Sequence, residues 1–362
     1  MYPKSFSLFS SVLFITLPIS SAYASYDATT NTETLTNQRI SNTMGDTTKG
    51  DLKSYNYPDR NLVITWTDSS RGDGSPIRDA DVYAKKITII SDFVGNQWTD
   101  KGVISDNATN INASEDINIT TYNDGVFTEG KGTTNISGFK NLNITSRSGF
   151  GLVDNGNGIT IEGGEQSVVS IKSEYITRHL WIFEYQDSRP AIGSHYLSEN
   201  YGNGISIRSG TIKLDSVKSY SIYSGNGSKG RFEVNLDASE IDITGTIYGE
   251  GGNITITPRT AGVMKISPSD QAEGSTELED NSILLTNGST LTINKGSAGL
   301  KKMQITGKID VRGEGSSLLA NMTGDSSIAP REGSSSTVAI EASNGGKVEL
   351  NRAAQTRPSR AM

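Results

Sequence analysis

The chain has 362 residues, a formal net charge of -7 and no cysteine. The missing cysteines exclude disulfides, iron–sulfur clusters and thiolate zinc sites. Lysine and arginine are scattered along the chain. This excludes nucleic acid as a partner, because phosphate neutralisation needs clustered cations. Charged residues make up 20% of the chain, too few for a polymer kept disordered by its charge.

The N-terminal segment 1–24 has the three parts of a secretory signal peptide. Lys4 supplies a positive start, residues 6–19 supply an apolar core, and Ala22 and Ala24 form an A-x-A site with cleavage expected before Ser25. The apolar run is shorter than the roughly 20 residues that span a bilayer. We therefore expect an exported protein in the periplasm, at the cell surface or secreted, with no transmembrane segment in the mature chain.

The mature chain divides into three regions. Residues 25–60 are polar and lack periodicity, as in a leader or an N-terminal cap, and residues 352–362 form a polar tail. Between them, over residues 61–351, short runs of β-forming residues alternate with polar ones, and Gly, Asn, Asp or Ser closes each run. The period of two predicts an all-β domain. Clear runs lie at 62–66, 87–90, 117–120, 142–145, 159–161, 205–207, 241–243, 254–256, 291–293 and 348–350.

Related segments recur along this region. The unit that starts at Leu142 is similar to the unit that starts at Ile212, and the segment around Ile243 is similar to the one around Ile305. Periods of about 20–50 residues indicate solenoids. We read the spacing from Leu142 to Ile212, and that from Ile243 to Ile305, as three turns each. This predicts turns of about 21 to 23 residues. Each turn has an apolar side too narrow to be buried alone, so successive turns stack.

The signal peptide, the absent cysteines and segments such as NLNITSRSGFGLVDNGNGITI at 141–161 resemble the passenger domains of bacterial autotransporters, the type V secreted proteins. The resemblance covers residues 61–351 and lies in the short alternating strands and the Gly- and Asn-rich turns between them. It implies a right-handed parallel β-helix for this region. Family members end in a membrane β-barrel, whereas no aromatic-flanked strands precede Met362. The expectation is a truncated member, or a passenger released by another route.

Catalytic histidine sites are not predicted. Neither His179 nor His195 is accompanied by a G-x-S-x-G elbow or a G-D-S-G motif, which a nucleophilic serine site would show. Metal and cofactor motifs are missing as well, so the sequence predicts no catalytic, cofactor-binding or metal residues.

Parallel β-helices also host enzymes that cleave polysaccharides, and these need carboxylates clustered on one side of consecutive strands. Asp154, Asp215, Asp237 and Asp242 are dispersed along the sequence, next to turns or at outward positions. A secreted β-helix lyase or hydrolase therefore stays an alternative.

One aromatic stretch interrupts the strand rhythm between residues 175 and 201. It is interpreted as a ligand loop extruded from the rod, whose rings stack on sugars or pack on a protein. The other interpretation is a longer turn whose aromatics cap the core. The residues proposed for the loop are Tyr175, Trp181, Phe183, Tyr185, His195, Tyr196 and Tyr201.

These observations predict a non-enzymatic surface protein that acts in adhesion or surface interaction. The expected partner is a glycan or protein on a host or neighbouring cell. Besides the polysaccharide-cleaving enzyme, the alternative is a truncated, non-functional remnant of a longer autotransporter.

Overall fold

The computed structural model shows an all-β parallel solenoid of about nine turns. The predicted fold class is therefore confirmed. The structure describes residues 23–42, 52–67, 75–91, 101–180, 183–194, 202–227, 230–269, 280–294, 301–322, 325–334 and 337–352.

Thirty-one strands follow one another along the described residues. The first part of the chain holds β1 (Tyr23–Asp27), β2 (Thr32–Thr36), β3 (Ile40–Ser41), β4 (Tyr55–Trp66), β5 (Ile77–Arg78), β6 (Asp81–Ser91), β7 (Val103–Ser105), β8 (Ala108–Ala113), β9 (Asp116–Thr121), β10 (Val126–Glu129), β11 (Thr133–Ser137) and β12 (Asn141–Ser146). The middle holds β13 (Leu152–Asn155), β14 (Ile159–Glu162), β15 (Val168–Ser173), β16 (Tyr175–Leu180), β17 (Phe183–Ser188), β18 (Ile192–Gly193), β19 (Gly204–Arg208), β20 (Thr211–Gly227), β21 (Gly230–Arg231) and β22 (Glu233–Glu250). The last part holds β23 (Asn253–Ser267), β24 (Asn281–Thr286), β25 (Thr290–Ile293), β26 (Lys302–Thr306), β27 (Lys308–Arg312), β28 (Ser317–Met322), β29 (Asp325–Ala329), β30 (Ile340–Ser343) and β31 (Lys347–Arg352).

Parallel pairing between successive turns builds three faces. Face 1 contains β9, β12 and β15, face 2 contains β7, β10 and β13, and face 3 contains β8, β11 and β14. The long strands β20, β22 and β23 bend around corners and contribute to more than one face. Each backbone group on a strand can therefore pair with the turn above and the turn below.

The core consists of apolar columns that run along the inside of the three faces. On face 1, Ile119, Ile144 and Ile171 lie in register on three successive turns, and all are buried. The intervening residues Asn118 and Asn143 point outward and are hydrogen-bonded to each other at 2.9 Å. The period-two pattern thus buries one side of each strand and exposes the other, as the sequence predicts.

The predicted turn length is wrong. Leu142 pairs with Val169, and Val169 pairs with Ile212, so the spacing from Leu142 to Ile212 covers two turns rather than three. Ile243 reaches Ile305 through Ile266, which is again two turns. The reason is physical: insertions at corners lengthen a turn without changing the register of the strands, so a sequence offset does not count turns.

A column of glycines forms the corner that precedes face 2. A Cβ on Gly102 would lie 2.6 Å from the carbonyl oxygen of Gly125, one on Gly125 would lie 2.5 Å from that of Gly151, and one on Gly151 would lie 2.7 Å from that of Ala191. On these three turns the chain therefore approaches the next turn too closely for a side chain, whereas the following turn has Ala191 at this corner. Glycine is required at these positions because the stacked turns lie close together, and not because of the local backbone conformation.

Asp154 is a fully buried carboxylate at the end of β13. It accepts backbone hydrogen bonds from Gly156 (2.9 Å), Gly158 (3.2 Å) and Gly204 (2.8 Å), and the Thr128 hydroxyl donates to it as well. Burial raises the pKa of the Asp154 carboxyl, and these four hydrogen bonds act in the opposite direction. The side chain therefore joins three successive turns, those of β10, β13 and β19, at one corner.

We expect Gly151→Ala to destabilise the protein by about 1–3 kcal/mol, the usual effect of overpacking. The matched control is Gly164→Ala, because a Cβ there meets nothing within 4 Å. That control should change stability by less than about 1 kcal/mol, with a gain expected from the stiffer unfolded chain. Denaturant unfolding followed by circular dichroism measures both, and equal stabilities would contradict the close-approach argument.

We expect Asp154→Ala to destabilise the protein by about 2–4 kcal/mol, because the buried N–H of Gly156 and the half-buried N–H groups of Gly158 and Gly204 lose their acceptor. Asp81→Ala is the control, since the exposed Asp81 carboxylate accepts a hydrogen bond from Asn110 at 2.7 Å. Its effect should stay within about 0.5 kcal/mol. Thermal unfolding of the two variants tests this difference, and similar losses in both would refute the role of Asp154.

Candidate functional site

The aromatic stretch of the sequence begins as a β-hairpin that leaves the solenoid. Strands β16 and β17 pair antiparallel with each other, in register from Tyr175 opposite Ser188 to Leu180 opposite Phe183. They form a separate two-stranded sheet, outside the 29-stranded sheet of the solenoid. The hairpin lies between β15 on face 1 and β18 on face 2, at a corner of the solenoid.

The structure brings three of the predicted ligand residues into this hairpin. Tyr175 begins β16, and Phe183 and Tyr185 lie in β17. The other four predicted residues lie outside the described residues: Trp181, His195, Tyr196 and Tyr201. His179, for which no catalytic role is predicted, lies in β16 opposite Glu184.

The base of the hairpin is fixed to the solenoid by hydrogen bonds on both sides. Before the hairpin, the Glu174 amide donates to the Ser146 carbonyl at 2.7 Å. After it, the Ser216 hydroxyl donates to the Arg189 carbonyl at 3.2 Å. The excursion therefore starts and ends at positions set by the stacked turns. A loop positioned by a rigid scaffold in this way is a common location for binding residues.

Charged residues of face 1 lie beside this base. The Lys172 ammonium is 3.1 Å from the Glu174 carboxylate, and Lys172 is in register with Asp215 on the next turn. Asp242 follows on the turn after that, opposite Lys213. Alternating opposite charges across neighbouring strands stabilise a sheet surface. They also present fixed polar groups next to the hairpin.

In this group of charged residues, the carboxyl of Asp215 has a shifted pKa. Burial raises the pKa of its carboxyl above the ordinary value of 3.8, Lys172 lowers it, and the charges of Asp242 and Glu174 raise it further. The Asp242 side chain itself is exposed. Sequence reasoning missed the proximity of Asp215 and Asp242, because the two residues are distant in sequence. Only the register of β20 and β22 makes them neighbours.

Three tyrosines lie on the turns that follow the hairpin. The rings of Tyr220 and Tyr248 are 4.6 Å apart, and those of Tyr223 and Tyr248 are 5.5 Å apart. The Tyr223 hydroxyl donates to the Glu250 carboxylate at 2.9 Å. Ile222, next to Tyr223, pairs with Ile192 of β18, the strand that follows the hairpin. The sequence alone does not reveal this cluster, because it depends on the register of β20 and β22.

A largely buried ion pair joins Lys101 and Asp124 at the corner that precedes face 2. The Lys101 ammonium lies 3.2 Å from the centre of the Phe127 ring and 3.9 Å from the Asp124 carboxylate. Burial lowers the pKa of Lys101, and the charge of Asp124 opposes that shift. Asp124 also accepts a hydrogen bond from the Phe150 amide at 3.0 Å. Both partners of this ion pair are thus engaged in holding the corner of the turn.

The arrangement around Asp215 predicts how its pKa responds to substitution. Lys172→Gln removes the cation that lowers the pKa of Asp215, so this pKa should rise further. Asp242→Asn removes a like charge, so the pKa of Asp215 should fall toward 3.8. NMR titration of the Asp215 carboxyl carbon measures both shifts. The same direction in both variants would show that the register of the three residues is wrong.

No protein-family model matches this chain, and no curated protein or solved structure shows a significant match. Within the part of the chain that the structure describes, no helix is long and apolar enough to cross a membrane. The same residues contain no group of three or more His, Asp or Glu side chains arranged to hold a metal ion.

Proposed function

We propose that this chain is an exported, non-enzymatic rod that contacts a partner surface through the hairpin β16–β17. The observation that carries the proposal is the separate two-stranded sheet of the hairpin, anchored at a corner of the solenoid. It supports the interpretation of the aromatic stretch as an extruded loop. The proposal keeps the predicted signal peptide and the resemblance to autotransporter passengers.

The solenoid suits this role because an insertion at a corner leaves the pairing of the flanking strands unchanged. Val169 and Ile212 pair directly although the whole hairpin lies between them. An insertion can therefore vary in length and composition while the stacked columns stay intact. A binding function placed at such a corner needs no catalytic group in the core.

The chemistry of the hairpin region favours a glycan or a protein surface on a host or neighbouring cell. Tyr175, Phe183 and Tyr185 supply aromatic residues in the strands. Tyrosine rings combine a large apolar area with a polar end, and so suit both sugar faces and protein hot spots. The charges of Lys172 and Glu174 at the base add polar contacts that select orientation.

A second candidate is a secreted enzyme that cleaves polysaccharide, and one observation favours it. Inverting hydrolysis uses a carboxylic acid of raised pKa and a second, ionised carboxylate, about 6.5–9.5 Å apart. Asp215 has the raised pKa, and the exposed Asp242 lies on the adjacent strand, two positions before Thr244, the register partner of Asp215. In this candidate Asp215 is the general acid and Asp242 the general base.

Replacing residues 175–188 by a short Asn-Gly turn should abolish binding and leave the fold intact, because Tyr175 and Ser188 are already paired neighbours. Binding of the purified mature chain to glycan arrays and to intact cells gives the first readout. Circular dichroism and thermal unfolding give the second. The matched control shortens a different hairpin, β20–β21, by replacing residues 226–231, where Asn226 pairs with Arg231.

Retained binding after removal of β16–β17, with the control also binding, would overturn the proposal. Loss of the fold would instead favour the interpretation that the aromatics cap the core.

The enzyme candidate is tested by a separate experiment. Incubation with polysaccharides should release reducing or unsaturated ends, and Asp215→Asn should remove that activity while leaving the circular dichroism unchanged.

A further inference from the structure

The ion pair between Lys101 and Asp124 joins two adjacent turns of the solenoid. Lys101 precedes β7 and Asp124 precedes β10, the strand that pairs with β7 on the next turn. Their side chains are only 15% and 8% exposed, and the Lys101 Nζ lies 3.9 Å from the Asp124 Oδ2. The backbone beneath them is fixed as well, because the Gly102 amide donates to the Asp124 carbonyl at 3.0 Å. The stacking of turns therefore holds an amine and a carboxyl side by side.

The surroundings of this pair disfavour its charges. The Phe127 ring covers the Lys101 ammonium, with its centre 3.2 Å from Nζ. Burial lowers the pKa of Lys101, although the charges of Asp124, Glu129 and Asp106 oppose that shift. The attraction within a buried ion pair repays the loss of solvation only when the geometry is excellent and hydrogen bonds complete it. A separation of 3.9 Å is too long for a hydrogen bond between the two groups.

The Asp124 carboxylate is also oriented for attack by the amine. Its Oδ1 accepts a hydrogen bond from the Phe150 amide, on the following turn, at 3.0 Å. A backbone N–H in this position stabilises the negative charge that develops on a carboxyl oxygen in a tetrahedral intermediate. The other oxygen, Oδ2, faces the Lys101 amine. Three successive turns thus supply a nucleophile, an electrophile and an oxyanion donor.

We propose that Lys101 and Asp124 condense to form an amide bond that links two adjacent turns. The ammonium passes one proton to the carboxylate, and the freed lone pair of Nζ attacks Cγ of Asp124. The new C–N bond forms as the Cγ–Oδ2 bond breaks. Oδ2 leaves as water with two of the three protons of Nζ, and the third stays on the amide. The charges of the ion pair cancel, so the step needs no oxidant or other reactant.

Positioning favours this reaction, and the product constrains the chain. Two groups held in contact by a folded scaffold react as if at very high concentration. The chain has no cysteine, so the amide provides the kind of constraint that a disulfide provides elsewhere. It closes a loop over residues 101–124, and a closed loop lowers the conformational entropy of the unfolded chain.

Two other ion pairs of the chain are matched controls. Lys85 and Glu115 are closer, at 3.5 Å, but their side chains are 46% and 38% exposed, so water solvates both charges. Lys308 and Asp310 are 3.0 Å apart and as shielded as Lys101 and Asp124. Burial lowers the pKa of Lys308, but hydrogen bonds to Glu341 and Asp310 outweigh burial and raise it, which keeps this amine charged. Neither control pair should condense.

Mass spectrometry of the purified protein tests the proposal. The intact wild-type chain should be lighter, by one water, than the mass calculated from its N-terminal residue onward. Lys101→Arg should have its calculated mass, because a guanidinium is not a nucleophile. Asp124→Asn should lose ammonia instead of water, because the side-chain amide nitrogen then takes the place of Oδ2 as the leaving group. Circular dichroism checks that both variants are folded.

Tryptic digestion locates the bond. Trypsin should not cleave after the acylated Lys101, and tandem mass spectrometry should show one branched peptide that joins Lys101 to Asp124. Cleavage after the control residues Lys85 and Lys308 should be normal. The proposal is overturned by a wild-type chain at its calculated mass, by a loss of water that persists in Lys101→Arg, or by cleavage after Lys101 as complete as that after Lys85.

Discussion

The register between successive turns is the constraint on which this structure depends. Backbone hydrogen bonds and apolar columns both run between turns, so one register satisfies both. Ile119, Ile144 and Ile171 lie above one another because their strands pair in that register. A slip by one residue would turn an entire column toward solvent and bring its polar neighbours inside. The corner glycines and the buried Asp154 carboxylate are consequences of the same stacking, because the adjacent turns leave no room for a side chain at the glycines and supply hydrogen-bond donors to Asp154.

The same register also allows a corner to accept an insertion. The hairpin β16–β17 lies between two strands whose partners on the neighbouring turns are unchanged. Its base is held by the Ser146 carbonyl and the Ser216 hydroxyl, which belong to those neighbouring turns. These hydrogen bonds fix both ends of the insertion to the scaffold. An isolated two-stranded hairpin is marginally stable in water, so this anchoring is what allows the hairpin to present residues at a defined place.

The strands could be predicted from sequence because their signal is local. A buried strand residue such as Ile144 stands between polar residues, and the period of two predicts its orientation. The number of turns could not be predicted, since the hairpin lengthens the chain between Leu142 and Ile212 without adding a turn. The neighbourhood of Asp215 and Asp242 was missed for a related reason. Carboxylates that look dispersed in sequence become adjacent once two strands are paired, and sequence patterns do not give that pairing.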